Sequence, residues 1–226
     1  MPKDKKDRDK IFQETPHLIF CEGADAYFFL IWLLDFFKKN NPAFSVFWVY
    51  NFGGIEGLAQ YLRNIAKTED FKKITRSLCI IRDAETDATG ACQSIQAVLG
   101  NCDFAVPTGP CSRTPNGSTI YPSIPTGFIL FPDCNATPGN GTLEDLCLRI
   151  LAKADAQTIL SGADVALEPY KTQLPRLHKN RLHSYFSLTD AFVSLKIGEA
   201  AQAQAFRYDT QEIQSLTSFL LQMAGA

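Results

Sequence analysis

Three groups of acidic residues carry the chemistry this chain could do. Glu22 directly follows the apolar run His17–Cys21, HLIFC. Asp83, Glu85 and Asp87 alternate in DAETD, directly after the apolar run Ser77–Arg82, SLCIIR. Glu144 and Asp145 open an apolar-periodic segment just behind Gly139-Asn140-Gly141. Carboxylate oxygens are hard ligands, and Mg²⁺ takes one or two of them together with water and substrate phosphate. Two acids two residues apart, just past a strand end, can be aimed at one ion. Held that close without a cation they repel, which raises a pKa. The chemistry this pattern suits is metal-assisted attack on a phosphate ester. Other site patterns are missing. No GxSxG nucleophile elbow, GxGxxG dinucleotide fingerprint or CxxC pair occurs, and His17, His178 and His183 form no HExxH.

The elements that must position these acids alternate. HLIFC, SVFWVY (45–50) and SLCIIR read as strands, being short runs rich in β-branched and aromatic residues. Helices are predicted over 24–39, over 55–67 from a 3.6-residue apolar period, and over 88–99. A further strand is expected at 103–106. Near-continuous apolar strands alternating with helices indicate a parallel sheet covered on both faces. In such sheets ligands bind at the carboxyl ends of the strands, where all three acidic groups would lie. Residues 107–142 hold 7 of the 12 prolines and 5 of the 14 glycines, so they read as a loop-rich insert around one strand, 127–131. Thr142 is the expected N-cap of a helix over 142–154, with Asp145 three residues on. Helices are expected over 175–183, 188–195 and 211–223, the last ending at Gly225.

The 226 residues, 46% hydrophobic and 20% charged, form a folded α/β chain, read as one domain over 15–226 with a core to about 155 and a helical extension over 156–226. Residues 1–14 are expected to be a solvated, disordered tail. A net charge of −2 means that any nucleic-acid site must be local. The most apolar stretch, 26–37, is too short for a membrane span and contains Asp35. With no export signal read at the N-terminus, the expected location is the cytoplasm, and the seven cysteines are expected to be reduced and mostly buried.

In order and context, HLIFCEGADAYFF, IIRDAETDA and GTLEDL resemble the Toprim domain, and most closely small stand-alone members related to the overcoming-lysogenization-defect (OLD) nucleases. The late segment LHKNRLHSYFS adds to the likeness, which covers roughly residues 15–223. The resemblance implies a Toprim/Rossmann-like parallel sheet and Mg²⁺- or Mn²⁺-dependent hydrolysis of phosphodiester bonds. Glu22 matches the motif-one glutamate, a metal ligand or general acid/base. Asp83 and Glu85 match the metal-binding Asp-x-Asp pair, Asp87 a third acid, and Glu144 a ligand for a second metal. Lys179 matches a late lysine that neutralises charge in the transition state. Two departures stand out: Glu85 replaces the pair's second Asp, and Ala26 stands where nuclease members carry an acid, with Asp25 about 100° away on a helix. Topoisomerase and primase activities are not expected, as no strand-gating, tyrosine-bearing or zinc-binding unit is seen.

Alternative readings remain at each position. Glu22-Gly23 also suits a strand-to-helix turn, and Asp83–Asp87 a solvated turn capping the next helix. Glu144 also suits an ordinary first-turn acid. Lys171, Arg176, Lys179 and Arg181 form the one local basic segment, read either as a phosphate-holding patch or as a solvated helix face. The activity class therefore stands beside a second one, a non-catalytic Toprim-like module that binds metal, nucleotide or a partner in regulation or phage defence. A homodimer fits so aromatic a domain.

Overall fold

The computed structural model describes residues 15–153 and 156–225. The expected tail, residues 1–14, lies outside them. Four strands form one all-parallel sheet in the order β2-β1-β3-β4: β1 His17–Glu22, β2 Phe47–Gly53, β3 Ser77–Asp83 and β4 Thr126–Phe131. The helices between them are α1 Gly23–Lys38, α2 Ile55–Ala66, the short α3 Glu69–Ile74 and α4 Ala88–Asn101. After β4 the described chain is helical: α5 Leu143–Lys153, α6 Gln157–Leu167, α7 Leu177–Ser187, α8 Ile197–Gln202 and α9 Gln211–Ala224.

Strand side chains alternate between faces, and each face builds its own core. Leu18, Phe20, Leu78, Ile80, Phe128 and Leu130 pack with Leu58 and Leu62 of α2 and Ile95 and Leu99 of α4. Ile19, Cys21, Cys79, Ile81, Ile129 and Phe131 pack with α1 and with the C-terminal helices through Leu146, Ile150, Phe186, Leu216 and Leu220. Each of these large side chains, taken fully out of water, stabilises by about 1.5–3 kcal/mol. The C-terminal helices thus form the second covering layer of the sheet. Helix α8 sits tightly on α1, where a Cβ on Gly198 would fall 2.5 Å from Phe28 Cβ.

The Pro/Gly-rich insert covers the outer edge of β4, Cys111 and Thr114 donating their N–H groups to Phe128 and Thr126 carbonyls at 2.8 and 2.9 Å. That satisfies a strand edge otherwise open to another chain. All seven cysteines are free thiols, five of them buried. No helix among the described residues is long and apolar enough to cross a membrane.

Two predicted elements are absent. Residues 103–106 do not form a strand: Asp103 turns into left-handed backbone (φ 63), Phe104 drops into the core, and the Ala105 carbonyl accepts from the Thr126 hydroxyl rather than from a ladder. Residues 188–195 form turns, with Ser194 at φ 67; Phe192 and Leu195 pack against the core from this irregular backbone while Leu188 and Val193 are exposed. Helices α3, α6 and α8 are additions. The C-terminus ends as expected, Gly225 taking the left-handed cap (φ 77) that a Cβ disfavours.

Candidate functional site

Glu22 and Asp83 end the neighbouring strands β1 and β3, so both stand at the carboxyl edge of the sheet. They leave it on opposite faces. Glu22 has the parity of Leu18 and Phe20, Asp83 that of Cys79 and Ile81. On its face Glu22 is held by two groups. Arg82 Nε, itself nearly buried, lies 3.0 Å from Glu22 Oε2 as an ion pair without hydrogen-bond alignment. The Ile55 N–H, at the start of α2, donates to Glu22 Oε1 at 3.1 Å.

On the other face Asp83 Oδ1 accepts the Leu143 N–H at 2.8 Å, the first turn of α5. That contact exists because the loop before α5 is clamped to the end of β3. Glu85 and Gly141 exchange both backbone hydrogen bonds, at 2.8 and 2.7 Å. Asn140 Oδ1 accepts the Ala88 N–H at 2.9 Å while its amide donates to the Thr86 carbonyl at 2.7 Å. Thr142 and Asp145 cap the helix as the spacing predicted, the Thr142 N–H donating to Asp145 Oδ2 at 2.8 Å. The clamp delivers Glu144 beside Asp83. Glu144 is 6% exposed and pairs with Lys179 of α7, Nζ to Oε1 2.9 Å.

The electrostatics follow. Burial pushes the Asp83 carboxyl up to about 7; the Leu143 N–H opposes this, and Glu144, Glu85 and Glu22 add to it. Burial also acts to raise Glu144, but Lys179 and the Thr142 hydroxyl outweigh it and hold that carboxyl below its usual range. Burial works to lower Lys179, and the charges of Glu144 and Asp83 prevail and raise it. The fold therefore holds Asp83, unlike Glu144, at an energetic cost when ionised.

The remaining expected site residues fall elsewhere. Glu85 is exposed, on left-handed backbone (φ 55). Asp87 is the N-cap of α4, accepting the Gly90 N–H at 2.9 Å, so one of its oxygens completes a helix end. Ala26 is buried and Asp25 exposed, as the 100° offset required. The basic segment is partly engaged within the protein. Arg181 makes a two-pronged pair with Asp164 of α6 at 2.5 and 2.7 Å, Lys171 lies 3.7 Å from Glu168, and Lys179 serves Glu144. Arg176 is the N-cap of α7, and the side chains of Lys171 and Glu168 are both exposed. Sequence reasoning missed Arg82, whose signal was a single arginine ending an otherwise apolar strand, and Asn140, whose signal was the Gly-Asn-Gly turn.

The donor set Glu22, Asp83, Glu85 and Glu144 is all oxygen, the chemistry a hard divalent cation requires. Its placement is not that of a formed metal site: among the described residues no three His, Cys, Asp or Glu side chains converge to hold an ion. One guanidinium, Arg82, and one ammonium, Lys179, stand beside two of the acids instead. Residues 16–225 match a family model described as a protein of unknown function (DUF3226). No curated protein and no solved structure matches the chain.

Proposed function

The chain belongs to the DUF3226 family of unknown function, and from that premise we propose that it is a phosphoryl-transfer protein of Toprim type, hydrolysing phosphodiester bonds in nucleic acid with Mg²⁺ or Mn²⁺. The supporting observation is Asp83, a carboxyl at a strand's carboxyl end, raised to about 7 by burial and three neighbouring acids. A group held at such cost is characteristic of a functional site, since a structural role is served as well by Asn. Asp83, with Glu22, Glu85 and Glu144, would hold the cation, once Glu22 and Glu144 turn from Arg82 and Lys179. Bound there, a divalent cation supplies Lewis-acid polarisation of the phosphate and a more acidic water. In this reading Glu22 would move a proton, and Lys179, released from Glu144, would neutralise developing negative charge.

A second reading has its own observation. Glu22 and Glu144 are already paired internally and no three-ligand group is formed, which favours a non-catalytic module in regulation or phage defence. The test is to incubate the full chain with single- and double-stranded DNA and RNA in Mg²⁺ or Mn²⁺, beside Asp83→Ala. Cleavage by the wild type, lost in the variant, supports hydrolysis. Metal binding with no cleavage of any substrate overturns it in favour of the binding module.

A further inference from the structure

A second, basic cavity lies at the other end of the sheet. Its volume is about 340 Å³, and it is walled by the end of α2, by α3, by the end of α4 and by the insert. Helix α2 begins at Ile55, against Glu22, and has 12 residues, so at 1.5 Å per residue its far end is roughly 17 Å from the carboxylates. The two regions are therefore separate.

Arg63 and Lys67 come from α2, Lys72 from α3, and Asn101 and Asp103 from the end of α4. Three cations thus face one carboxylate. Part of that charge answers the helix dipoles, because α2 and α4 both end here and each end carries about half a negative charge. With Asp103 counted as well, roughly one positive charge is left over for a ligand. The walls are held in place: the Cys102 thiol donates to the Ala59 carbonyl at 3.6 Å, and Lys72 Nζ lies 5.6 Å over the Tyr121 ring. Tyr121 is itself stacked on Phe104, with centroids 4.5 Å apart. Its ring is thus engaged within the protein, so the cavity offers charge and amide donors rather than a platform for a planar base. Asn101 supplies the neutral donor.

We propose that this cavity binds a phosphate group, carried on a small molecule or on a polynucleotide backbone. The proposal is independent of the carboxylate reading, since Asp83→Ala leaves the cavity intact. The experiment is amide chemical-shift mapping on the full chain, titrated with inorganic phosphate and, separately, with a short single-stranded oligonucleotide. Phosphate is expected to shift the Arg63, Lys67 and Asn101 signals in a saturable manner. The double variant Arg63→Ala/Lys67→Ala, changing two exposed residues, should weaken binding at least about tenfold, or 1.4 kcal/mol, with an unchanged melting temperature. Tighter, salt-dependent binding of the oligonucleotide at the same residues identifies a backbone as the source. Phosphate binding without oligonucleotide binding identifies a small phosphorylated molecule. Absence of shifts at these residues with either probe, or shifts unchanged in the double variant, overturns the proposal.

Discussion

Replacing Asp83 by Asn should stabilise the metal-free protein, with a pH signature that identifies the cause. An ordinary aspartate titrates at 3.8, and burial among other acids moves Asp83 to about 7. The folded state thus binds the Asp83 proton more tightly than the unfolded chain. This contribution to stability is complete below pH 3.8 and is lost as pH rises through 7. Roughly three pH units at about 1.4 kcal/mol each give an upper bound near 4 kcal/mol for the cost of the ionised carboxylate at pH 8. Water entry and side-chain relaxation reduce this, so about 2 kcal/mol is expected, or about 4–8 °C in melting temperature for a chain of this size. Asn keeps an oxygen to accept the Leu143 N–H and carries no charge. Denaturant unfolding of both proteins in chelator, from pH 4 to pH 8, reads the effect. The curves should nearly coincide at pH 4, separate progressively in favour of Asp83→Asn as pH rises toward 7, and stay apart above it. An Asn variant equally or less stable at pH 8, or a difference that does not change with pH, would refute the reasoning.

Three other consequences are open to measurement. Lys179→Met leaves the nearly buried Glu144 unpaired and should cost about 2–3 kcal/mol, at the low end for a buried pair because Lys179 is partly exposed; adding Glu144→Gln should recover most of it in a double-mutant cycle. Gly127→Ala in β4 places a Cβ 2.6 Å from Phe219 Cζ and 2.8 Å from Met223 Sδ, so overpacking should lower stability by about 1–3 kcal/mol in urea unfolding. His17 is held below its usual pKa chiefly by burial, despite the opposing Met223 carbonyl, so its contribution is present above pH 6.5 and lost as pH falls through its folded value; His17→Gln, which retains a partner for Ser77 Oγ, should flatten the acid limb of the stability curve between pH 4 and 6.5.

What was legible in the sequence divides along physical lines. The strands β1, β3 and β4 could be read because a parallel strand buried on both faces is a short apolar run and nothing else. The edge of the sheet bearing the acids followed from those strands. The helix cap at Thr142 and Asp145 was legible because it is a contact over three residues. What escaped were the long-range partners. LHKNRLH contains no acid, yet Asp164 and Glu144, contributed by other helices, neutralise Arg181 and Lys179. The opposite parity of Glu22 and Asp83 was countable from strand alternation once the strands were assigned; the register shift opposite Glu22 falls on β2, where Phe52 is the extra residue. Residues 188–195 show the converse: their apolar side chains Phe192 and Leu195 reach the core from successive turns, so apolar spacing alone did not specify a helix. Helix α6 was missed because Gly162 interrupts a weak period, and its face is completed by Leu160 and Ala163 docking under α7.

The central claim, that Asp83 exists to hold a divalent cation, is tested most directly by calorimetric titration of Mn²⁺ and Mg²⁺ into the chelator-treated chain and into Asp83→Ala, each shown to be folded by its thermal transition. The account predicts saturable binding to the wild type, stabilisation of its fold by the bound ion, and loss of both in the variant. Binding that is absent from the wild type, or equal in the two proteins, would contradict it and leave Asp83 as a buried acid that only anchors the start of α5.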